Sequence, residues 1–283
     1  MTISESKNYF ENELKGLYPP EEIQNFFYYA LSHLLEISKL AILSHFDKKI
    51  DEKVLKDLDY ILLELKKKNP IQYILGKADF YGMVLQVNPS VLIPRPETEE
   101  LVDWVLKEFK NKAIDILDVC TGSGCIAIAL KKHLVQAKVA AVDISSEAID
   151  IAKNNSKKLG ADIKFKEADA LNLTQHIGTN SFDVIVSNPP YVLPDEKETM
   201  NENVLLYEPQ EALFVPENDP LLFYKAIAQF AKTGSKKVAL YFEINETKGI
   251  ELSALLGQMG FTDIIVKKDI NGKDRMLKCT YLC

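Results

Sequence analysis

Cysteine is scarce in this 283-residue chain: Cys120, Cys125, Cys279 and Cys283 are unevenly spaced and include no C-x-x-C pair. That excludes a disulfide framework and the common zinc sites, leaving reduced thiols. Cys283 is the last residue and not the fourth from the end, so no prenylation box is expected. Histidine is as sparse. His33, His45, His133 and His176 have no acid or cysteine at ligand spacing, so no metal is expected. Nowhere do eighteen apolar residues run together, and the opening M-T-I-S-E-S-K-N-Y-F has an early acid and no apolar signal core. A soluble, cytoplasmic protein without a membrane partner is expected. Basic residues are outnumbered 34 to 41, giving a net charge of −7 and a pI near 5.3. With no dense Lys/Arg cluster, stable nucleic-acid binding is not expected.

What is there divides in two. The length, with 47% apolar residues, suits two domains. After Pro19-Pro20, Ile23, Phe26, Phe27, Ala30, Leu31, Leu34, Ile37 and Ala41 recur at three- and four-residue steps, predicting one long helix. Leu55, Leu58, Ile61, Leu62 and Leu65 predict another, ending at Asn69-Pro70. Residues 1–78 therefore read as a helical domain. Residues 79–96 read as a hairpin linker turning at Asn88-Pro89-Ser90, and R-P-E-T-E-E-L then suits a helix start at Pro96.

From residue 113 to the end, strand and helix alternate. Strands are expected at 113–119, 138–143, 163–167, 182–187, 238–243, 261–266 and 276–282, with helices between most of them. This is an α/β pattern: a Rossmann-like parallel sheet with helices on both faces, over 97–283. Ligands on such sheets bind beyond the carboxyl ends of the strands, where strand order reverses.

Three loops fall there. D-V-C-T-G-S-G-C-I-A, 118–127, has Gly122 and Gly124 for a tight turn and close approach to a ligand. Asp143, about twenty residues on, ends the next strand, where a carboxylate can take both hydroxyls of a ribose. The glycine spacing also fits a dinucleotide fingerprint, but Asp118 beside it would repel a pyrophosphate and suits an ammonium group or a water bridging to one. The third loop is V-S-N-P-P-Y-V, 186–192. Asn188 offers a side-chain carbonyl; Pro189 and Pro190 stiffen the backbone and remove N–H donors, so the Pro189 carbonyl can serve as a second acceptor. Together they can hold one planar NH₂ group, with Tyr191 stacked on it. An adenine, a cytosine or a glutamine side chain meets that description.

The chain resembles the PrmC/HemK protein glutamine methyltransferases. The resemblance covers nearly its whole length: P-I-Q-Y-I-L-G at 70–76, V-L-I-P-R-P-E-T-E at 91–99, the 118–124 loop, N-P-P-Y at 188–191, Y-E-P-Q-E-A-L at 207–213 and D-R-M at 274–276. It implies a class I methyltransferase sheet with a small helical substrate-recognition domain. The implied activity is methyl transfer from S-adenosylmethionine to the glutamine amide of the Gly-Gly-Gln motif in peptide chain release factors, the protein partner. By that resemblance Cys120, Thr121, Gly122, Ser123, Gly124, Asp143, Asp169, Ala170 and Asn188 contact the donor, and Asn188, Pro189, Pro190 and Tyr191 hold the glutamine and form the catalytic motif. N-P-P-Y is shared with DNA amino-methyltransferases, so a nucleic-acid adenine methyltransferase is one alternative. A glutamine methyltransferase of a large-subunit ribosomal protein is another, and an idle donor-binding scaffold is a third.

Cys120 stands where the family often has glycine, and Asn245 and Lys248 stand where it commonly has Gly and Gln. Arg95, between two prolines, is expected either to anchor a substrate loop or to pair with the helix-start acids. The long loop 192–220, with Asp195, Glu196, Glu198 and Glu202, is expected as a solvated lid, with an acidic surface for a basic partner as the alternative.

Overall fold

The computed structural model describes residues 1–283. Its contacts divide the chain into two compact units: residues 1–76 with 201–207, and residues 77–200 with 208–283.

The first unit is helical: α1 (Ile3–Leu14), α2 (Pro20–Leu35), α3 (Lys39–Leu43), α4 (Glu52–Lys66) and α5 (Ile71–Leu75). Phe10, Leu14, Phe27, Leu31, Ile42, Leu62 and Leu65 meet in its core. The helix predicted to continue through Ile37 and Ala41 instead breaks after Leu35. Glu36 adopts a left-handed conformation, and the Ser38 side chain accepts the Ala41 amide to start α3. Helix α1, not anticipated, begins in a capping box: Glu5 N donates to Thr2 Oγ1 at 3.2 Å, and Thr2 N donates to Glu5 Oε2 at 2.8 Å.

The second unit opens with a hairpin, β1 (Lys77–Phe80) and β2 (Met83–Gln86), in which Phe80 faces Met83. Its turn is Tyr81-Gly82, not the expected Asn88-Pro89-Ser90. Both turn residues have positive φ, +47° and +71°, the two-residue form that matches strand twist. Helix α6 (Pro96–Phe109) follows, and then β3 (Asp115–Val119), α7 (Cys125–His133), β4 (Lys138–Asp143), α8 (Ser146–Leu159), β5 (Ile163–Glu167), α9 (Leu173–Ile177) and β6 (Val184–Ser187). Beyond β6 lie α10 (Glu202–Tyr207), counted with the first unit, α11 (Gln210–Leu213), α12 (Leu222–Ala231), β7 (Val238–Glu243), α13 (Gly249–Gln258), β8 (Thr262–Lys268) and β9 (Asp274–Tyr281). The expected loop 192–220 is thus largely folded, beginning with a 3₁₀ turn at Pro194–Thr199.

Seven strands form one sheet in the order β5-β4-β3-β6-β7-β9-β8. Six run parallel; β9 enters antiparallel between β7 and β8, which corrects the all-parallel expectation. Only five residues separate β8 from β9, too few for the crossover a parallel pair requires. Helices cover both faces. One apolar core joins α6 and α7 to Ile116, Val184 and Tyr241, and the other joins α12 and α13 to Leu117, Ile185 and Leu240. The chain leaves β3 toward β4 and β5 on one side, and β6 starts the other side. Strand order therefore reverses between β3 and β6, which opens a crevice at their carboxyl ends.

Candidate active site

A cavity of about 750 Å³ occupies that crevice. Cys120, Thr121, Gly122 and Ser123 line it from the β3–α7 turn, Asp143 from the end of β4, Asp169 and Ala170 from beyond β5, and Asn188 and Pro190 from beyond β6. Nine of the twelve residues singled out in the sequence thus share one lining. Gly124, Pro189 and Tyr191 are not among it.

The turn after β3 is built from within. Asp118, fully buried, accepts the Thr121 hydroxyl at 2.6 Å and the Ala127 amide at 3.1 Å through Oδ2. Burial pushes its carboxyl up to about 7. It does not line the cavity; through Oδ2 it braces the turn, and its Oδ1 is buried with no protein partner. Cys120 adopts φ +61°, a left-handed conformation more usual for glycine, and burial holds its thiol well above the ordinary range. The thiol stays protonated and is no nucleophile.

Gly122 has φ +53°, with open space where a Cβ would project. Gly124 has φ +81° and a different duty: a Cβ there would stand 3.1 Å from the Ala152 Cβ, so the absent side chain lets α8 pack close. Asn155, buried on α8, donates to the Ser123 carbonyl at 2.9 Å and also exchanges hydrogen bonds with the Gln86 backbone. The turn is held from both sides.

Asp143 accepts the Gly122 amide at 2.8 Å on Oδ2 and the Ser145 amide at 3.0 Å on Oδ1. Burial raises its carboxyl, and these N–H donors oppose that rise. Each oxygen keeps a further lone pair for a diol. The Ser123 hydroxyl is buried, lines the cavity and has no protein partner. The Asp169 carboxylate caps the turn 170–172 through the Leu171 amide at 2.8 Å. A roomy crevice with a glycine opening, a free hydroxyl and a carboxylate fits a nucleoside bearing a short polar tail.

On the other wall, Ser187 Oγ donates to the Val119 carbonyl at 2.7 Å and locks β6 to β3 just before Asn188. Asn188 Nδ2 donates to Thr98 Oγ1 at 3.3 Å. Pro189 is buried. Tyr191 packs on the α12 core and donates its hydroxyl to Glu243 Oε1 at 2.9 Å. Burial, then the Glu243 charge, hold that phenol well above its ordinary range, so it remains a donor.

Two further side chains had no part in the sequence reading of the site. Glu208 is buried in the Y-E-P-Q segment, where Arg95 Nη2 pairs with its Oε1 at 2.6 Å and the Ile93 amide donates to its Oε2 at 3.2 Å. Arg95 therefore pairs across to this segment and not with the acids of its own helix. Asn245 holds the 3₁₀ turn: its Nδ2 donates to both Glu196 oxygens at 3.0 Å and to the Tyr191 carbonyl at 3.4 Å. Both pairings join residues more than forty-five positions apart, a relation no local pattern carries.

The sheet with one inserted antiparallel strand, its glycine turn and its acidic β4 terminus define a class I methyltransferase, and a methyltransferase domain family matches residues 110–248. The PrmC N-terminal domain family matches residues 8–76. The chain belongs to the release factor glutamine methyltransferase family. The protein of that name from Flavobacterium psychrophilum is 43% identical over 286 residues, covering 99% of this chain and 100% of the relative. That from Bacteroides thetaiotaomicron is 44% identical over 273 residues, covering 95% and 96%. Among solved structures, a methyltransferase from Pyrococcus furiosus shares the fold with a TM-score of 0.52 at 17% identity, over 82% of this chain and 100% of that one.

Proposed function

We propose that this protein transfers a methyl group from S-adenosylmethionine to the side-chain amide nitrogen of the glutamine in the Gly-Gly-Gln motif of peptide chain release factors. The observation that carries the proposal is that Asn188 shares one cavity with the glycine turn and Asp143. Asn188, read as holding the acceptor, and the turn and Asp143, read as holding the donor, thus face one space. The names of the full-length relatives support the choice of substrate.

In this reading the 120–123 turn, Asp143, Asp169 and Ala170 hold the donor, which when bound supplies an electrophilic methyl on sulfur. Asp143 accepts from ribose hydroxyls, and the unpartnered Ser123 hydroxyl meets the polar tail. Asn188 Oδ1 and the Pro189 carbonyl accept the two hydrogens of the glutamine NH₂. Those two acceptors orient the nitrogen and push electron density toward it, which an amide nitrogen needs to act as a nucleophile. A strong base is not required before transfer, because the positively charged product nitrogen sheds its proton readily. The net charge of −7 favours a protein acceptor over a nucleic acid, and the reading places the activity in the cytoplasm.

Labelled donor offered in parallel to release factor, to its Gln→Ala loop variant, to ribosomal protein and to DNA tests the substrate. Label on intact release factor alone is expected. Label on DNA or on the Gln→Ala variant would overturn the proposal.

A further inference from the structure

Asn188 ends a chain of hydrogen bonds that starts at a buried carboxylate. Glu243, at the end of β7 and 1% exposed, accepts the Tyr191 hydroxyl on Oε1 at 2.9 Å and the Thr98 hydroxyl on Oε2 at 2.5 Å. Thr98 Oγ1 in turn accepts from Asn188 Nδ2 at 3.3 Å. The sheet makes the meeting possible. Ser187 pairs with Phe242, so Asn188 and Glu243 are the next residues of neighbouring strands, and Thr98 reaches them from the first turn of α6.

With Glu243 ionised, the polarity of this chain is determined. An ionised carboxylate only accepts, so the single Thr98 proton goes to Glu243. The Thr98 oxygen can then only accept from Asn188, so the Asn188 NH₂ must face Thr98 and its Oδ1 must face the other way. An Asn188 flipped about its last bond would set its NH₂ against an incoming NH₂, donor against donor.

We propose that Thr98 and Glu243 are positioning residues that fix the orientation of the Asn188 amide, so that its oxygen and not its nitrogen receives the acceptor amide. The proposal rests on the function proposed above. It gives the T of R-P-E-T-E a role, since Thr98 carries the sign of the Glu243 charge to the acceptor site. Burial raises the Glu243 carboxyl above its ordinary range, while the Thr98 and Tyr191 hydroxyls and the Arg275 charge favour its ionised form, and the Tyr224 hydroxyl donates to the Glu243 backbone carbonyl.

The test is steady-state methylation of release factor by the full chain and its Thr98→Val, Thr98→Ser and Glu243→Gln variants, with donor affinity measured by calorimetry. Valine keeps the shape of threonine and removes the hydroxyl; serine keeps the hydroxyl. Thr98→Val is expected to lower kcat about 10- to 100-fold, as misplacement of a reacting group does. Donor Kd should stay within about threefold of wild type and Thr98→Ser should recover most of the rate, since only hydroxyl chemistry separates the variants. Glu243→Gln, which frees the Thr98 proton to turn toward Asn188, should also lower kcat with donor affinity kept. Thr98→Val at the wild-type rate, or Thr98→Ser as slow as Thr98→Val, would overturn the relay. If Thr98→Val does not fold, Glu243→Gln decides alone, and an unchanged kcat overturns it. A wild-type chain that leaves release factor unmethylated overturns the function and the relay together; an active wild type with an unimpaired Thr98→Val overturns the relay only.

Discussion

Asn188 was visible in the sequence because two prolines and a tyrosine follow it at the end of an apolar run. Its bonding partners were not, because Thr98 and Glu243 lie 90 and 55 positions away and meet it only through α6 and the β6–β7 pairing. Replacing Asn188 with alanine is expected to cut methyl transfer about 100-fold or more while donor binding survives in part, the size of effect seen when one preorganised polar contact is lost. Isothermal titration with donor, beside the rate, separates the two effects. Asp118 makes a second prediction. Its ordinary value is 3.8 and burial raises it to about 7 in the folded protein, so the folded chain binds the proton more tightly. Its contribution to stability is full below 3.8 and is lost as pH rises through about 7. Thermal denaturation from pH 4 to 8 should therefore show wild type losing stability relative to Asp118→Asn, by a few kcal/mol in total at about 1.4 kcal/mol for each step of one in pH between the two values. Parallel curves for the two proteins would show that Asp118 does not titrate in this range.

The elements were legible wherever local pattern decides them. The alternation from β3 to β7 and the start of α6 at Pro96 were readable from apolar runs, Gly160 and Pro96. Other elements carry subtler local signals: T-I-S-E is a capping box for α1, and Asn271-Gly272 between β8 and β9 is a hairpin signal that implies the antiparallel strand. The two glycines of the turn after β3 now separate by function. Gly124→Ala forces a Cβ into α8 on top of a left-handed φ and should destabilise by about 2–3 kcal/mol in chemical denaturation. Gly122→Ala meets only the φ penalty of about 1–2 kcal/mol, yet it places a methyl where the backbone borders the cavity and should weaken donor binding more than Gly124→Ala does. The segments around Arg95 and Glu208 are coupled through an asymmetric pair, with Arg95 31% exposed and Glu208 1%. Arg95→Met strands a buried carboxylate and should cost about 3 kcal/mol, whereas Glu208→Gln leaves an arginine that water can reach and should cost about 1 kcal/mol. Urea midpoints of the single and double variants test this, and a double variant less destabilised than the sum marks the coupling.

The chain's division into units also differs from a reading in sequence order. Residues 201–207 fold with the N-terminal helices, where the Tyr207 hydroxyl donates to the Lys67 carbonyl at 2.8 Å, and the hairpin 77–86 folds with the sheet. Neither assignment follows local composition, because each depends on a return of the chain that only tertiary packing specifies. No helix is long and apolar enough to cross a membrane. What the fold supplies is one crevice in which the glycine turn after β3 and Asn188 after β6 line one cavity across the β3/β6 reversal. The most direct test of that arrangement is mass spectrometry of the Gly-Gly-Gln peptide released from a release factor incubated with this protein and S-adenosylmethionine. The expected result is a peptide one methyl heavier, with fragmentation placing the methyl on the glutamine side-chain nitrogen. An unmodified glutamine, or a methyl on any other residue, would contradict it.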